Sequence, residues 1–258
     1  MDLQIKDKLF IVMGASSGLG KGVAVNLLKD GAKVVAVGRN PEKLKTLENE
    51  FPGQVEVHAG DAFDPEFIKG IPEALKGREL SGLLVNAGGP PAGSFLETSL
   101  ENWDTAYQNV LRWKVQLTQL LLPVFRKQKY GRMVYVESMS VKQPVKNLVL
   151  SNSVRMAVVG FVKTLSQEVA KEGITLNVLA PGFHDTPAAA RLYKNRSEKE
   201  GVSLETAKHQ YENEIAVGRM GDTEEFGMIG AWLLSPRSGY VTGQTISVDG
   251  GNILGVMG

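Results

Sequence analysis

Short, uninterrupted apolar runs recur along the chain, and each is followed by a stretch with helical spacing. Residues 9–13 read LFIVM and residues 33–37 read KVVAV. Runs this short and continuous suit strands buried on both faces of a parallel sheet. Residues 54–58, 82–85, 132–136, 174–179 and 245–248 extend the series to seven strands. Between them the spacing predicts helices over 21–29, 41–50, 65–76, 100–127, 152–171 and 223–234. Gly31 closes the first helix, and Asn40 with Pro41 opens the second as N-cap and first-turn residue. Strict alternation with right-handed crossovers predicts an α/β fold, a doubly wound Rossmann-type parallel sheet flanked by helices in a single domain. One segment breaks the rhythm. Residues 188–218 are polar and helix-prone, and at the carboxyl edge of such a sheet they are placed to act as a lid.

Composition removes several function classes. The 258 residues carry 29 basic and 28 acidic side chains, so no charge bias points to nucleic acid or an anionic membrane. Without cysteine there is no disulfide, thiolate catalysis or cysteine-ligated metal. His58, His184 and His209 show no metal-binding spacing, so no metal site is expected. No apolar run approaches the ~18 residues of a membrane span, and the N-terminal MDLQIKDKLF lacks a signal-peptide core. These features predict a cytoplasmic protein acting on a small molecule.

The chemistry begins at GASSGLG, residues 14–20, between the first strand and the first helix. Glycines there permit positive φ and bring backbone N–H groups close to a pyrophosphate at the positive end of a helix. The loop proposes Gly14, Ser16, Ser17, Gly18, Leu19 and Gly20 as dinucleotide contacts. NAD binders usually place a carboxylate at the end of the second strand, against the adenosine ribose. This chain has Gly38, Arg39 and Asn40 instead. A guanidinium welcomes a 2′-phosphate, so Arg39 predicts NADP in preference to NAD.

With these residues in place the chain resembles the short-chain dehydrogenase/reductase family over essentially its whole length. Gly14, Gly18 and Gly20 match the family's glycine motif, Asp61 its adenine-contacting aspartate, and Asn86-Ala87-Gly88 its NAG motif. Pro181-Gly182, with Thr186 after it, matches the loop that holds the nicotinamide carboxamide. Residues 218–221 and 240–251 look like the closing segments of β-ketoacyl-acyl carrier protein reductases. The resemblance implies cofactor contacts from Ala62, Ala87, Gly88, Pro181, Gly182, Phe183 and Thr186 besides the loop. It also implies a homo-oligomer, tetramer or dimer, packed through the helices holding Asn109 and Ser151 and through the C-terminal strand. The apolar tail Ile253 to Met257 suits such an interface.

The family's catalytic positions fall on Asn109, Ser138, Ser151 and Arg155. Ser138 stands at the catalytic serine. Ser151 and Arg155 stand where the family has Tyr-x-x-x-Lys; the four-residue spacing keeps both on one helix face. A serine hydroxyl is a far weaker acid than a lysine-assisted phenol, and guanidinium stays protonated. The pair therefore suits binding and orientation, with Arg155 still able to bond the nicotinamide ribose, rather than proton delivery. Of the other candidates, His184 follows Pro181-Gly182 and has a pKa suited to proton exchange. Strand alternation turns Tyr135 and Glu137 away from the face of Ser138. Lys142 and Lys146 read as solvated, and Tyr193 needs the lid to close. Two functions fit these residues: an NADP-dependent oxidoreductase with an atypical proton donor, or a catalytically silent nucleotide-binding scaffold or redox sensor on the same fold.

Overall fold

A computed structural model describes residues 2–256. Seven strands, β1 (Leu9–Met13), β2 (Lys33–Gly38), β3 (Val55–Ala59), β4 (Gly82–Val85), β5 (Gly131–Val136), β6 (Ile174–Pro181) and β7 (Thr245–Val248), form one parallel sheet. Its order is β3-β2-β1-β4-β5-β6-β7, so the direction of winding reverses between β1 and β4. The register sets Val12 beside Ala36 on one side and Leu84 on the other.

Alternate residues of each strand feed two separate cores. Phe10, Val12, Val34, Leu84, Val134 and Leu179 pack with the helices α1 (Gly18–Lys29), α2 (Pro41–Glu50) and, at the far end of the chain, the helix Thr223–Leu234. On the opposite face Ile11, Met13, Val85, Met133, Tyr135 and Val178 pack with α3 (Pro65–Gly70) and with the helical segments that lie between residues 100 and 169. Two faces covered by helices explain why the central strands are apolar throughout rather than alternating.

The stretch 100–127, expected as one helix, is broken. Helix α4 (Leu100–Ala106) passes into a wide π-helical turn, Tyr107–Arg112, before α5 (Trp113–Gln128). The wider turn shifts the helical phase of α5, and Trp113 and Lys114 at its start lie in the interior. Helix α6 (Val149–Val169) covers the same face of the sheet through Val158 and Val162. Residues 188–218 supply most of two helices, α7 (Pro187–Glu200) and α8 (Leu204–Glu212), with a small core of their own around Ala189, Tyr193 and Ala207. The final helix is α9 (Thr223–Leu234). No helix among the described residues is long and apolar enough to cross a membrane. In the C-terminal tail Leu254 and Val256 are exposed; Met257 lies outside the described residues.

Candidate active site

A cleft opens along the carboxyl ends of β1, β2, β4, β5 and β6, at the winding reversal where α/β sheets commonly bind ligands. At its centre is the turn between β1 and α1. Gly14 and Gly18 have φ of +72° and +57°. A Cβ on Gly20 would sit 2.3 Å from the Gly14 carbonyl oxygen and 2.8 Å from Asn86 Nδ2. Asn86 thus wedges the turn from β4, and no larger residue fits at its base. Ser17 precedes α1 in extended conformation with no side-chain cap, and the first turn carries no acid. The donors at that helix end remain open to an anion. These features fit a nucleotide diphosphate.

Of the expected cofactor contacts, Gly14, Ser16, Ser17, Gly18, Leu19, Arg39, Asp61, Ala62, Asn86, Ala87, Gly88, Arg155, Pro181 and Thr186 all line this cleft. Arg39 lies at its β2 end, exposed and without an ion pair among the described residues. Asp61 Oδ1 accepts from the Phe63 amide at 3.0 Å, which fixes the turn after β3. Thr186 caps α7 and lies across Gly18. Three expected contacts lie elsewhere. Gly20 is buried beneath the turn, Gly182 packs on Asp249 after β7, and Phe183 packs at a tilt against Tyr211 of α8 with ring centroids 4.9 Å apart. Gly89 and Arg191, which the motifs do not indicate, line the cleft as well.

The other end of the cleft is held by an arrangement that the sequence does not reveal. Arg155 Nε donates to Ser151 Oγ at 3.0 Å, while Nη1 donates to the Glu137 carbonyl at 3.1 Å and to Glu137 Oε2 at 2.9 Å. Lys114 Nζ donates to Glu137 Oε1. The Glu137 side chain is fully buried, so one carboxylate sits between two interior cations. Burial pulls the Lys114 ammonium down from the ordinary lysine range, while Glu137 opposes that shift. Arg155 Nη2 makes no bond among the described residues and lies against Gly89, where a Cβ would stand 2.6 Å from it.

This corrects the expectation for Glu137. Alternation does set it on the face of Tyr135 rather than that of Ser138. That face, however, is the one α6 covers, so Arg155 reaches the cleft from Glu137's side. Tyr135 itself is buried and bonded to Thr118 at 2.7 Å, and burial raises its pKa. Lys114 does carry a signal in the sequence. It falls four residues after Val110 and three before Leu117, on the apolar stripe of its helix, where a lysine requires a carboxylate.

Ser138 caps the short turn after β5, its Oγ accepting from the Ser140 amide at 3.1 Å. Asn109 lies in the π-helical turn, its carbonyl accepting from Trp113 Nε1 at 3.1 Å. Of the expected catalytic residues Arg155 lines the cleft, Asn109, Ser138 and Ser151 do not, and neither does His184. It is 5% exposed, bonded through Nδ1 to the Gly182 carbonyl at 3.2 Å and edge-on to Phe226. Its ring borders a separate cavity with Gly221 and Glu225. Burial lowers its pKa. Tyr193 is packed inside the α7–α8 core, and burial pushes its phenol up to about 12.

A sequence model of the family described as Enoyl-(Acyl carrier protein) reductase matches residues 14–252. The chain belongs to this family, within the short-chain dehydrogenases/reductases. It is 29% identical to the 3-oxoacyl-[acyl-carrier-protein] reductase FabG of Thermotoga maritima, over 98% of this chain and all of that one. It is 26% identical to the NADPH-dependent reductase BacG of Bacillus subtilis, over 94% of this chain and 96% of BacG. The crystal structure of L-sorbose reductase from Gluconobacter frateurii, complexed with NADPH and L-sorbose, superposes with a TM-score of 0.93 at 27% identity. That match covers 99% of this chain and all of the other.

Proposed function

We propose that this protein is an NADP-dependent oxidoreductase that moves hydride between the nicotinamide and a small carbonyl, alcohol or imine substrate, with an atypical source of the proton. The observation that carries this reading is the single cleft joining the glycine turn and Arg39 at one end to Arg155 at the other. The turn and the start of α1 hold the diphosphate, Arg39 pairs with the 2′-phosphate, and Asp61 meets the adenine. When bound, NADPH supplies the hydride.

The chain's residues bind and orient. Arg155 presents its Nη2 edge, beside Gly89, to the nicotinamide ribose. Ser151 Oγ accepts from Arg155 Nε, which leaves its own proton free to be donated onward. Ser138 and Ser151 polarise the substrate oxygen or nitrogen. Water delivers the proton, because His184 is turned into another cavity. The α7–α8 pair closes over the cleft from the side of Thr186 and Arg191. A homo-oligomer through α4–α6 is supported by the exposure of Tyr107 and Met156 on those elements.

A second reading, a silent nucleotide-binding scaffold, is favoured by the three internal bonds of Arg155, which tie it into the fold. NADPH oxidation followed across a panel of carbonyl and imine compounds separates the two. Turnover that falls in Ser138→Ala supports the oxidoreductase. Tight NADPH binding with no turnover of any compound, and no effect of Ser138→Ala on binding, supports the scaffold.

A further inference from the structure

Lys114 and Arg155 share the one buried carboxylate of Glu137, and with Lys114 protonated the group as a whole carries one positive charge. Lys114 is 3% exposed and Arg155 7%. Both are shielded from the solvent that would otherwise mute their field. The group stands at the end of the cleft opposite Arg39, with Glu137 and Arg155 in its wall. In the proposed orientation of the nucleotide, that end receives the nicotinamide. The reduced ring is neutral, and the oxidised ring carries a positive charge.

We infer that the net charge of the Lys114–Glu137–Arg155 group makes this protein discriminate between redox states, binding NADPH in preference to NADP+. The inference rests on the proposed cofactor and its orientation. Lys114 is the residue that sets it. Glu137 and Arg155 alone would balance, and Lys114 supplies the unbalanced charge from behind the carboxylate without lining the cleft. It acts as a positioning and electrostatic residue. The same repulsion favours release of NADP+ once hydride has left, which suits a protein working in the reducing direction.

The test needs no substrate. The purified full-length chain is titrated with NADPH by its fluorescence and with NADP+ by competition, and the ratio of the two affinities is compared among variants. Lys114→Met removes the charge and the hydrogen bond; Lys114→Gln removes the charge but keeps a donor for Glu137; Lys114→Arg keeps both. The preference for NADPH should fall on the order of tenfold in the two neutral variants, the scale of unit charges several ångströms apart at a protein-like dielectric. It should persist in Lys114→Arg and in high salt. A purely structural role for Lys114 moves stability and leaves the ratio alone. If Lys114→Met does not fold, Lys114→Gln carries the comparison. A ratio unchanged in the neutral variants, or lost equally in Lys114→Arg, overturns this inference and leaves the cofactor assignment standing. Binding of neither nucleotide by the unaltered protein overturns both.

Discussion

Arg155 Nη1 lies 2.9 Å from Glu137 Oε2, and the carboxylate it meets has no exposed surface. Glu137 also receives Lys114, so among the described residues it is the sole counter-charge for two buried cations. Removing one partner from such a group leaves charge uncompensated in the interior, which typically costs about 3–5 kcal/mol. Glu137→Gln should therefore lose stability on that scale in urea unfolding. Lys114→Met should lose far less, because it leaves a balanced Arg155–Glu137 pair and an apolar side chain in an apolar wall. Equal losses in the two variants would contradict the asymmetry.

Gly89 and Arg155 make a second dependent pair. A Cβ on Gly89 would stand 2.6 Å from Arg155 Nη2. The guanidinium cannot simply swing aside, since Nε and Nη1 are bonded to Ser151 and Glu137. Gly89→Ala should displace the one edge of Arg155 that faces the cleft, with little loss of stability. The expected result is NADPH binding weakened several-fold with a nearly unchanged melting temperature. Unchanged binding would show that this edge does not meet the nucleotide.

The glycine turn should be less forgiving. On Gly20 an added Cβ meets backbone, the Gly14 carbonyl oxygen at 2.3 Å, so no side-chain rotation relieves the clash. Gly20→Ala is expected to abolish NADPH binding and to lower the melting temperature. Gly160→Ala, at an exposed glycine of α6 whose Cβ position is open, serves as the control and should bind normally. Equal behaviour of the two variants would mean that the turn adapts.

Much of the fold is legible in the chain. Strands β1 and β4 and helix α9 fall on the predicted residues, because buried parallel strands and a capped helix write strong local signals, and the half-buried edge strand β7 does so too. Other features are not local. A wide turn at Tyr107–Arg112 leaves no mark in the spacing of Trp103, Tyr107, Val110 and Leu111, which serves an unbroken helix equally well. Alternation along β5 gives the face on which Glu137 lies, but it does not say which helix arrives on that face. His184 stands only two residues from Gly182 in sequence, yet the chain turns there and its Nδ1 bonds back to the Gly182 carbonyl, away from the cleft.

His184 gives the pH prediction. Burial lowers its pKa below 6.5, so the folded protein favours the neutral ring while the unfolded chain takes up a proton more readily. Below pH ~6.5 the unfolded state therefore binds more protons, and stability contributed at neutral pH is lost as the pH falls toward the folded-state pKa. Urea unfolding from about pH 7.5 down to about 5.5, a window around the ordinary histidine pKa, should show a steeper decline for the unaltered protein than for His184→Gln. The catalytic pH profile should not change between them, since the ring borders a different cavity. Parallel stability curves would remove His184 as the titrating group.

In the proposed reading Arg39 selects the cofactor, and its setting allows a clean measurement. It is exposed, forms no ion pair among the described residues, and follows Gly38, which packs on Ser16 of the glycine turn. Its removal should therefore leave the fold untouched. A charge-assisted bond to a phosphate contributes about 1.5–3 kcal/mol, so Arg39→Ala should weaken NADPH binding roughly ten- to a hundredfold. NADH lacks the 2′-phosphate and should bind both proteins alike. Arg39→Asp goes further by repelling the phosphate and offering the ribose hydroxyls a carboxylate, and it should invert the preference toward NADH. Loss of NADH and NADPH binding in equal measure would mean that Arg39 supports the cleft rather than the phosphate, and the choice of NADP over NAD would then fail.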